Sequence, residues 1–486
     1  MRLFGDFTPD QSDLNTDSLD IARNVLPGVN SWLPAKDLLA LSLVALPSPA
    51  RGLWHVQKAD GSYEVYAATR DRLWKYSADT LSFADVSRIS GGVYQLPEDD
   101  FWSGIQFGSR LIVCQLGDRP QYIDVDTGGA RFQDLPGAPV ARFVNVMDDK
   151  VILASLSENI SRIQWSDIND SERWEVGEDS LAGNQEFPDA GAVMGFFPHA
   201  RLVLMQHGMR TIISTGDVYS FNFAELSTQK GTSAPWSCVE YGSLLYWLSE
   251  DGFYVGDSNQ QRNISEKRTS GYFYDQVNRN RMFQVFATFD PFASRILWAF
   301  PTTEEEWNDR IMIYDYVLDR WGELDVDTYV LARLATAAVS LEGGADPQDI
   351  DLPGLPSFDA RQYMAGVPLL IAVGLDLQLS TFDGPTLPAT LETSTYNFGG
   401  GKRVRMRNVQ SYFEGVEAED VLVRVLKRQR YGDDWVTSGY IPQQASGFYR
   451  MHDDGMFHRF EFSIPAATDW SHAHGWEPNF IATTER

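Results

Sequence analysis

Basic charge is scarce in this 486-residue chain: 40 Lys and Arg stand against 67 Asp and Glu, a formal charge of −27. Tight wrapping of nucleic acid is thereby excluded, because it needs clustered Lys and Arg to neutralise phosphates. Nucleic acid passing by is not excluded, since an acidic conduit repels the backbone instead of holding it. Cysteine is nearly absent. Cys114 and Cys238 are the only two, and both stand among apolar residues, which reads as buried thiols and not as a disulfide scaffold or redox pair. Long apolar runs are missing too. The nearest, Leu38 to Leu46, is interrupted by Ser42, closed by Pro47 and too short to span a bilayer. With no basic segment leading into an apolar core at the N-terminus, the expectation is a soluble chain without a membrane-spanning segment, made in a reducing cytoplasm.

Catalytic signatures are equally thin. There is no G-x-S-x-G elbow, no H-E-x-x-H pair, and neither cysteine sits beside a histidine. His472 and His474 would share one face of a strand, with Glu477 as the nearby carboxylate, but a metal site needs further ligands, and the pair reads as terminal, solvent-exposed polar residues. Asp124-Val125-Asp126-Thr127-Gly128 lacks the later oxygen ligands of a calcium loop and reads as a turn. Glycoside hydrolysis needs two carboxylates about 5 to 10 Å apart, and among so many acids some such pair is inevitable, so frequency removes its meaning. The expectation is no enzyme, no cofactor and no metal.

What the chain does have is a repeat. Tyr76, Tyr122, Trp165, Ile213 and Tyr254 sit at equivalent places in short strands, spaced by 46, 43, 48 and 41 residues. Tyr314 follows after 60 and Leu379 after a further 65, which requires insertions. Between them lie other short strands of the same kind, such as Leu111–Cys114, Val151–Ala154, Leu202–Met205, Ser243–Leu248 and Ile296–Phe300. Runs of four to six residues bounded by Gly, Asp or Pro suit strands and are too short for globular helices. The period is the size of a four-stranded propeller blade. The expected fold is therefore all-β: a β-propeller of six or seven blades over residues 51–387, with an N-terminal arm (1–50) and a C-terminal β-sandwich-like domain (388–486). Aromatic residues, 13% of the chain, would fill the blade cores.

The arm is broken by Pro9, Pro27, Pro34, Pro47 and Pro49 and could cross the first blade or reach a neighbour. Two insertions, 303–310 and 341–357, are expected as rim loops. Beyond Leu391 longer strands are expected at 393–398, 403–409, 421–428 and 457–464, in a stretch carrying Lys402, Arg403, Arg405, Arg407, Arg424, Lys427, Arg428 and Arg430. Asp148-Asp149, Glu304-Glu305-Glu306 and Asp453-Asp454 are candidate acidic channel or rim features, the alternative for each being a solvated turn.

An ordered series of segments then resembles a known family. Asp20 to Pro27, Thr211 to Gly216 continuing through Gln229-Lys230-Gly231-Thr232, Tyr246 to Val255, Asn263-Ile264-Ser265, and Ile311 to Asp315 followed by Arg320-Trp321 are similar to the tail hub or nozzle (tail accessory factor) proteins of P22-like short-tailed bacteriophages. The resemblance covers most of the chain. It implies a structural virion protein, made in the host bacterial cytoplasm and located in the virion tail, that forms a homo-hexamer around an axial channel. Its partners would be the phage adaptor (head-to-tail connector) ring above and a tail needle, plug or fibre below. Double-stranded DNA would pass through it during genome ejection without sequence-specific binding. Six copies would carry six times −27, or −162. The competing expectation is a β-propeller module that binds a host receptor or glycan through the inserted loops.

Overall fold

The computed structural model describes all residues except 42–43, 78–79, 217–219, 336–367, 418, 445 and 483–486. The expected rim loop at 341–357 lies outside the described residues.

Six separate four-stranded antiparallel sheets form propeller blades. In chain order they span residues 52–85, 103–134, 141–186, 193–227, 239–263 and 330–381, the last taking its fourth strand, Leu39–Ala40, from the beginning of the chain. A further four-stranded meander, residues 286–328, stands between the fifth and last of these. Its first strand, Phe286–Asp290, touches the first strands of both neighbours, and Val330–Ala335 touches Gly52–Gln57, which closes the ring. The ring thus has seven blades, counted here in chain order, and the sixth is continuous with a larger sheet.

The second strand of each blade explains the apolar runs. Stacked blades cover their middle strands on both faces, so these lose the alternation of a half-exposed strand. Every residue of Lys150–Leu156 is buried, as are Leu202–Met205. The third strands carry Tyr76, Tyr122, Trp165, Ile213, Tyr254 and Tyr314, one in each of the first six blades, and Leu379 stands in the third strand of the seventh. Backbone must pass close to the larger rings: a Cβ on Gly183 would lie 2.5 Å from Trp165, so only glycine fits opposite it.

The first forty residues belong to three sheets at once. Leu39–Ala40 pairs with Leu379–Thr381 and completes the seventh blade. Ser18–Arg23 joins the outer strand of the sixth blade, Arg320–Thr328, to Ala389–Thr393. From there an eleven-stranded sheet continues through Phe457–Ile464 and Leu422–Arg428. Arg2–Leu3, Val25–Pro27 and Trp32–Pro34 enter a seven-stranded sheet with Val404–Glu414 and His472–Ala482. The two large sheets face each other across one core, where Trp476 stands 4.5 Å from Phe460 and 5.1 Å from Tyr396. Both ends of the chain therefore build one β body from which the propeller projects.

Three local expectations need correction. The strand expected at 393–398 is Ala389–Thr393; beyond it the Thr395 backbone N–H turns to the Asp13 carbonyl. The loop expected at 303–310 ends at Trp307, because Asn308 and Arg310 already pair with the outer strand of the sixth blade, with Asp309 at a register shift between them. His472 and His474, read as terminal and solvent-facing, lie half-buried on an interior strand of the seven-stranded sheet.

Candidate functional site

Antiparallel meanders place successive turns at opposite ends of a blade. Asp148 and Asp149 form the turn between the first and second strands of the third blade, exposed, with φ of 49° and 55°. The Ser214 hydroxyl donates to Asp148 at 2.6 Å, and the Asp149 carbonyl accepts from Asn169 N–H at 2.8 Å. Glu304, Glu305 and Glu306 are exposed in the turn between the second and third strands of the sixth blade, hence on the opposite face of the ring. Asp453 and Asp454 are on neither. Asp453 is buried in the second body, 2.6 Å from Lys427 Nζ, and Asp454 is half-buried 3.5 Å from Arg403. An acidic edge does not describe this pair; Lys427 and the exposed Arg403 stand against it. The local basic concentration resolves in the same way: Arg424 meets Glu461 and Arg428 meets Asp13.

On the face bearing Glu304–Glu306, the connections between blades converge on the axis. Phe101 before the second blade, Phe143 in the third, Trp236 between the fourth and fifth, and Phe286 in the sixth make a single ring cluster. Phe101 is 5.2 Å from Phe286, although their blades stand on opposite sides of the ring. The bore of the propeller is closed by aromatic side chains. Asp100, buried, fixes them by accepting from Trp236 Nε1 at 3.1 Å and Arg142 Nε at 2.9 Å.

Two depressions flank Trp307 on this face. One, about 560 Å³, is lined by Asp37, Glu305, Asp309, Asp325, Asp327 and Asp376, with Arg310 as its one basic residue among the described residues. Arg310 is held by Asp325 at 2.5 Å and Glu323 at 3.5 Å. Burial, reinforced by Asp309, Glu305, Asp325 and Asp37, pushes the Asp327 carboxyl upward. Glu305, alone of the sequence candidates, joins a larger carboxylate group. The other depression, about 300 Å³, is nearer the axis and contains Arg51, Arg70, Arg281, Glu98, Asp99 and Glu306.

Arg51 is 7% exposed, with its guanidinium 5.3 Å from the Phe101 ring centre and 5.4 Å from that of Trp307. Nothing in the sequence singled it out. The only sign is the acidic run Glu98-Asp99-Asp100 just before Phe101, whose partners become visible once blades are placed around an axis.

Burial pushes both Cys114 and Cys238 thiols well up, so neither supplies a thiolate. His472 and His474 do share a face, rings 5.5 Å apart, but the carboxylate beside His474 is Glu414 at 3.1 Å and not Glu477, which accepts from Tyr412. No group of three His, Cys, Asp or Glu among the described residues is placed to hold a metal ion. Asp124 accepts from the N–H groups of Asp126 and Thr127, a self-contained turn. No helix among the described residues is long and apolar enough to cross a membrane.

The geometry defines the class, an all-β propeller protein with a second β body. No family model matches the chain. No curated protein matches it either. Among solved structures it is similar to the extracellular domain of a one-component system from B. thetaiotaomicron, at 10% identity and a TM-score of 0.39, over 86% of this chain and 46% of that one. It thus spans under half the length of that protein. It is also similar to the computationally designed Ika8 protein (8% identity, TM-score 0.33, 71% of this chain and 99% of that one). A third is described as a glycoside hydrolase (10% identity, TM-score 0.28, 92% of this chain and 100% of that one). Likenesses this distant assign neither activity nor ligand.

Proposed function

We propose that the protein is a structural, ring-forming component of a short-tailed bacteriophage tail, a hub or nozzle whose copies enclose the path of the genome. The observation that carries the reading is the closed bore joined to a body woven from both chain ends. The propeller offers no passage of its own, so any conduit lies between copies, and the rigid β body is the part suited to hold copies in register. The carboxylate basin around Glu305 suits a surface that double-stranded DNA passes without adhering. Adaptor and needle, plug or fibre partners follow from the sequence resemblance alone.

Mass photometry and electron-microscope class averages of the full chain test this. The expected species is a ring of six times 54.7 kDa, about 328 kDa, with an axial hole, alone or after addition of an adaptor ring. A chain that stays monomeric at all concentrations and with the adaptor overturns it.

A second reading, a propeller that recognises a receptor or glycan, is favoured by one feature: the axial pocket with its buried, unpaired Arg51. Binding faces on propellers and other repeat folds are built from such converging loops.

A further inference from the structure

Arg51 is mostly buried, and its nitrogens keep only a narrow contact with solvent. Taking a guanidinium out of water is costly unless a counter-charge or hydrogen bonds replace the water. Among the described residues its side chain makes neither an ion pair nor a hydrogen bond; its neighbours are two aromatic faces. Glu98, exposed, makes no ion pair with it among the described residues, and the other nearby carboxylates face other groups. Asp100 holds Arg142 and Trp236, Asp99 accepts from Gln284 Nε2 at 3.2 Å and lies 3.8 Å from Arg281, and Glu306 lies 3.7 Å from Arg281. Burial pushes the Arg51 guanidinium downward, with Arg70 adding to it and Asp99, Asp100 and Glu98 opposing. A fork-shaped cation held between two rings and opening on a pocket has the form of a receptor for a planar anion.

The rest of the pocket narrows the ligand. Three carboxylates, Glu98, Asp99 and Glu306, share it with three arginines, so its charges balance and it carries no excess of cations to match a doubly charged phosphate. Those same carboxylates repel an acidic peptide but accept hydrogen bonds from hydroxyl groups. Trp307 supplies an apolar face, and about 300 Å³ lies at the small end of ligand pockets. Below it, Gln284, Asn308 and Thr328 line a void of about 10 Å³ with three buried oxygens that have no partner, so the floor of the site is polar.

We propose that this pocket binds an acidic sugar, a hexuronate unit, with Arg51 taking the carboxylate, Trp307 the apolar ring face, and Glu98, Asp99 and Glu306 the hydroxyls. The site is complete within one chain and does not depend on ring assembly, so its failure leaves the tail reading standing.

Isothermal titration of the full chain with D-galacturonate, galactose, inorganic phosphate and tri-glutamate tests it. Galacturonate is expected to bind about tenfold or more tightly than galactose, the loss of one charge-assisted bidentate contact, and acetate should displace it. Arg51→Lys, which keeps the charge and loses the fork, should weaken galacturonate about tenfold. If Arg51→Lys does not fold, Trp307→Leu should weaken galacturonate and galactose alike, and acetate displacement from the unaltered protein carries the decision. Equal binding of galacturonate and galactose, no binding of either, or tighter binding of phosphate or tri-glutamate overturns the proposal.

Discussion

The propeller and the second body are both antiparallel sheet, yet the chain makes them in opposite ways. A blade is a local meander, each strand pairing with the next across a short turn, so its pattern recurs in the sequence. The second body joins segments hundreds of residues apart. Arg459 bonds Asp13, Asp20 and Glu392, and Arg428 reaches Asp13 and stacks on Trp435. Local construction leaves a readable period; remote construction leaves only scattered polar residues whose partners are elsewhere.

The contrast breaks hardest where the two bodies meet. Arg320, on the outer strand of the sixth blade, is buried against the N-terminal segment: 2.7 Å from Asp6, donating to the carbonyls of Gly28 at 2.5 Å and Gly5 at 3.2 Å, over the face of Trp32. Arg320→Ala leaves the carbonyls of Gly28, Ser31 and Gly5 without their donor, while Asp6 stays exposed to solvent, and should cost about 3–5 kcal/mol. Separate melting of propeller and second body, read by calorimetry, is the expected result; a single unshifted transition would falsify the linking role. The ring closure is the next target. Leu41→Pro removes the N–H donated to the Leu379 carbonyl at 2.6 Å and should cost about 3 kcal/mol. Faster hydrogen exchange confined to the seventh blade and its neighbours would follow, whereas exchange unchanged there would mean that the strand Leu39–Ala40 does not hold the ring.

Acidity sharpens the comparison through three groups of the second body. Burial pushes His458 down to about 4, and neither ring nitrogen has a partner. Its contribution is present above the ordinary histidine value of 6.5 and is lost as pH falls towards 4. Burial pushes Asp20 up to about 6 and Glu392 up to about 7, with Arg459 opposing. Their contribution is present below about 4 and is lost as pH rises through 6 to 7. His458→Leu should therefore gain melting temperature over the parent as pH is lowered from 7 to 4, and Glu392→Gln should gain as it is raised from 5 to 8. Parallel pH profiles would remove either assignment. The smallest effect belongs to the propeller turn: Asp149→Asn, exposed and in a left-handed conformation that asparagine adopts readily, should shift stability by under about 0.5 kcal/mol.

Legibility followed the same division. The equivalence of Tyr76, Tyr122, Trp165, Ile213, Tyr254 and Tyr314 was visible because each marks the third strand of a local unit. The closing strand Leu39–Ala40 was not, since two residues carry no period and their partner lies at 379–381. Of the acidic candidates, Glu305 stands in a carboxylate basin, while Asp453 is matched by Lys427, a residue on another strand that adjacency in sequence does not reveal. Arg51 escaped for the same reason. Its significance comes from what is missing around it, and only a three-dimensional arrangement can leave a charge without a partner.

The pairing of Arg2 with Trp476 sets an order of events during synthesis. At roughly 5–20 residues per second, a ribosome needs roughly 25–95 s to make the partner of the first strand. Throughout that interval the blades can complete themselves one after another, while the N-terminal segment waits with open strand edges. Such edges invite pairing with other chains, so the newborn protein is exposed to mis-assembly around Arg2 throughout that interval, and a chaperone that shields this segment would act before Trp476 is made.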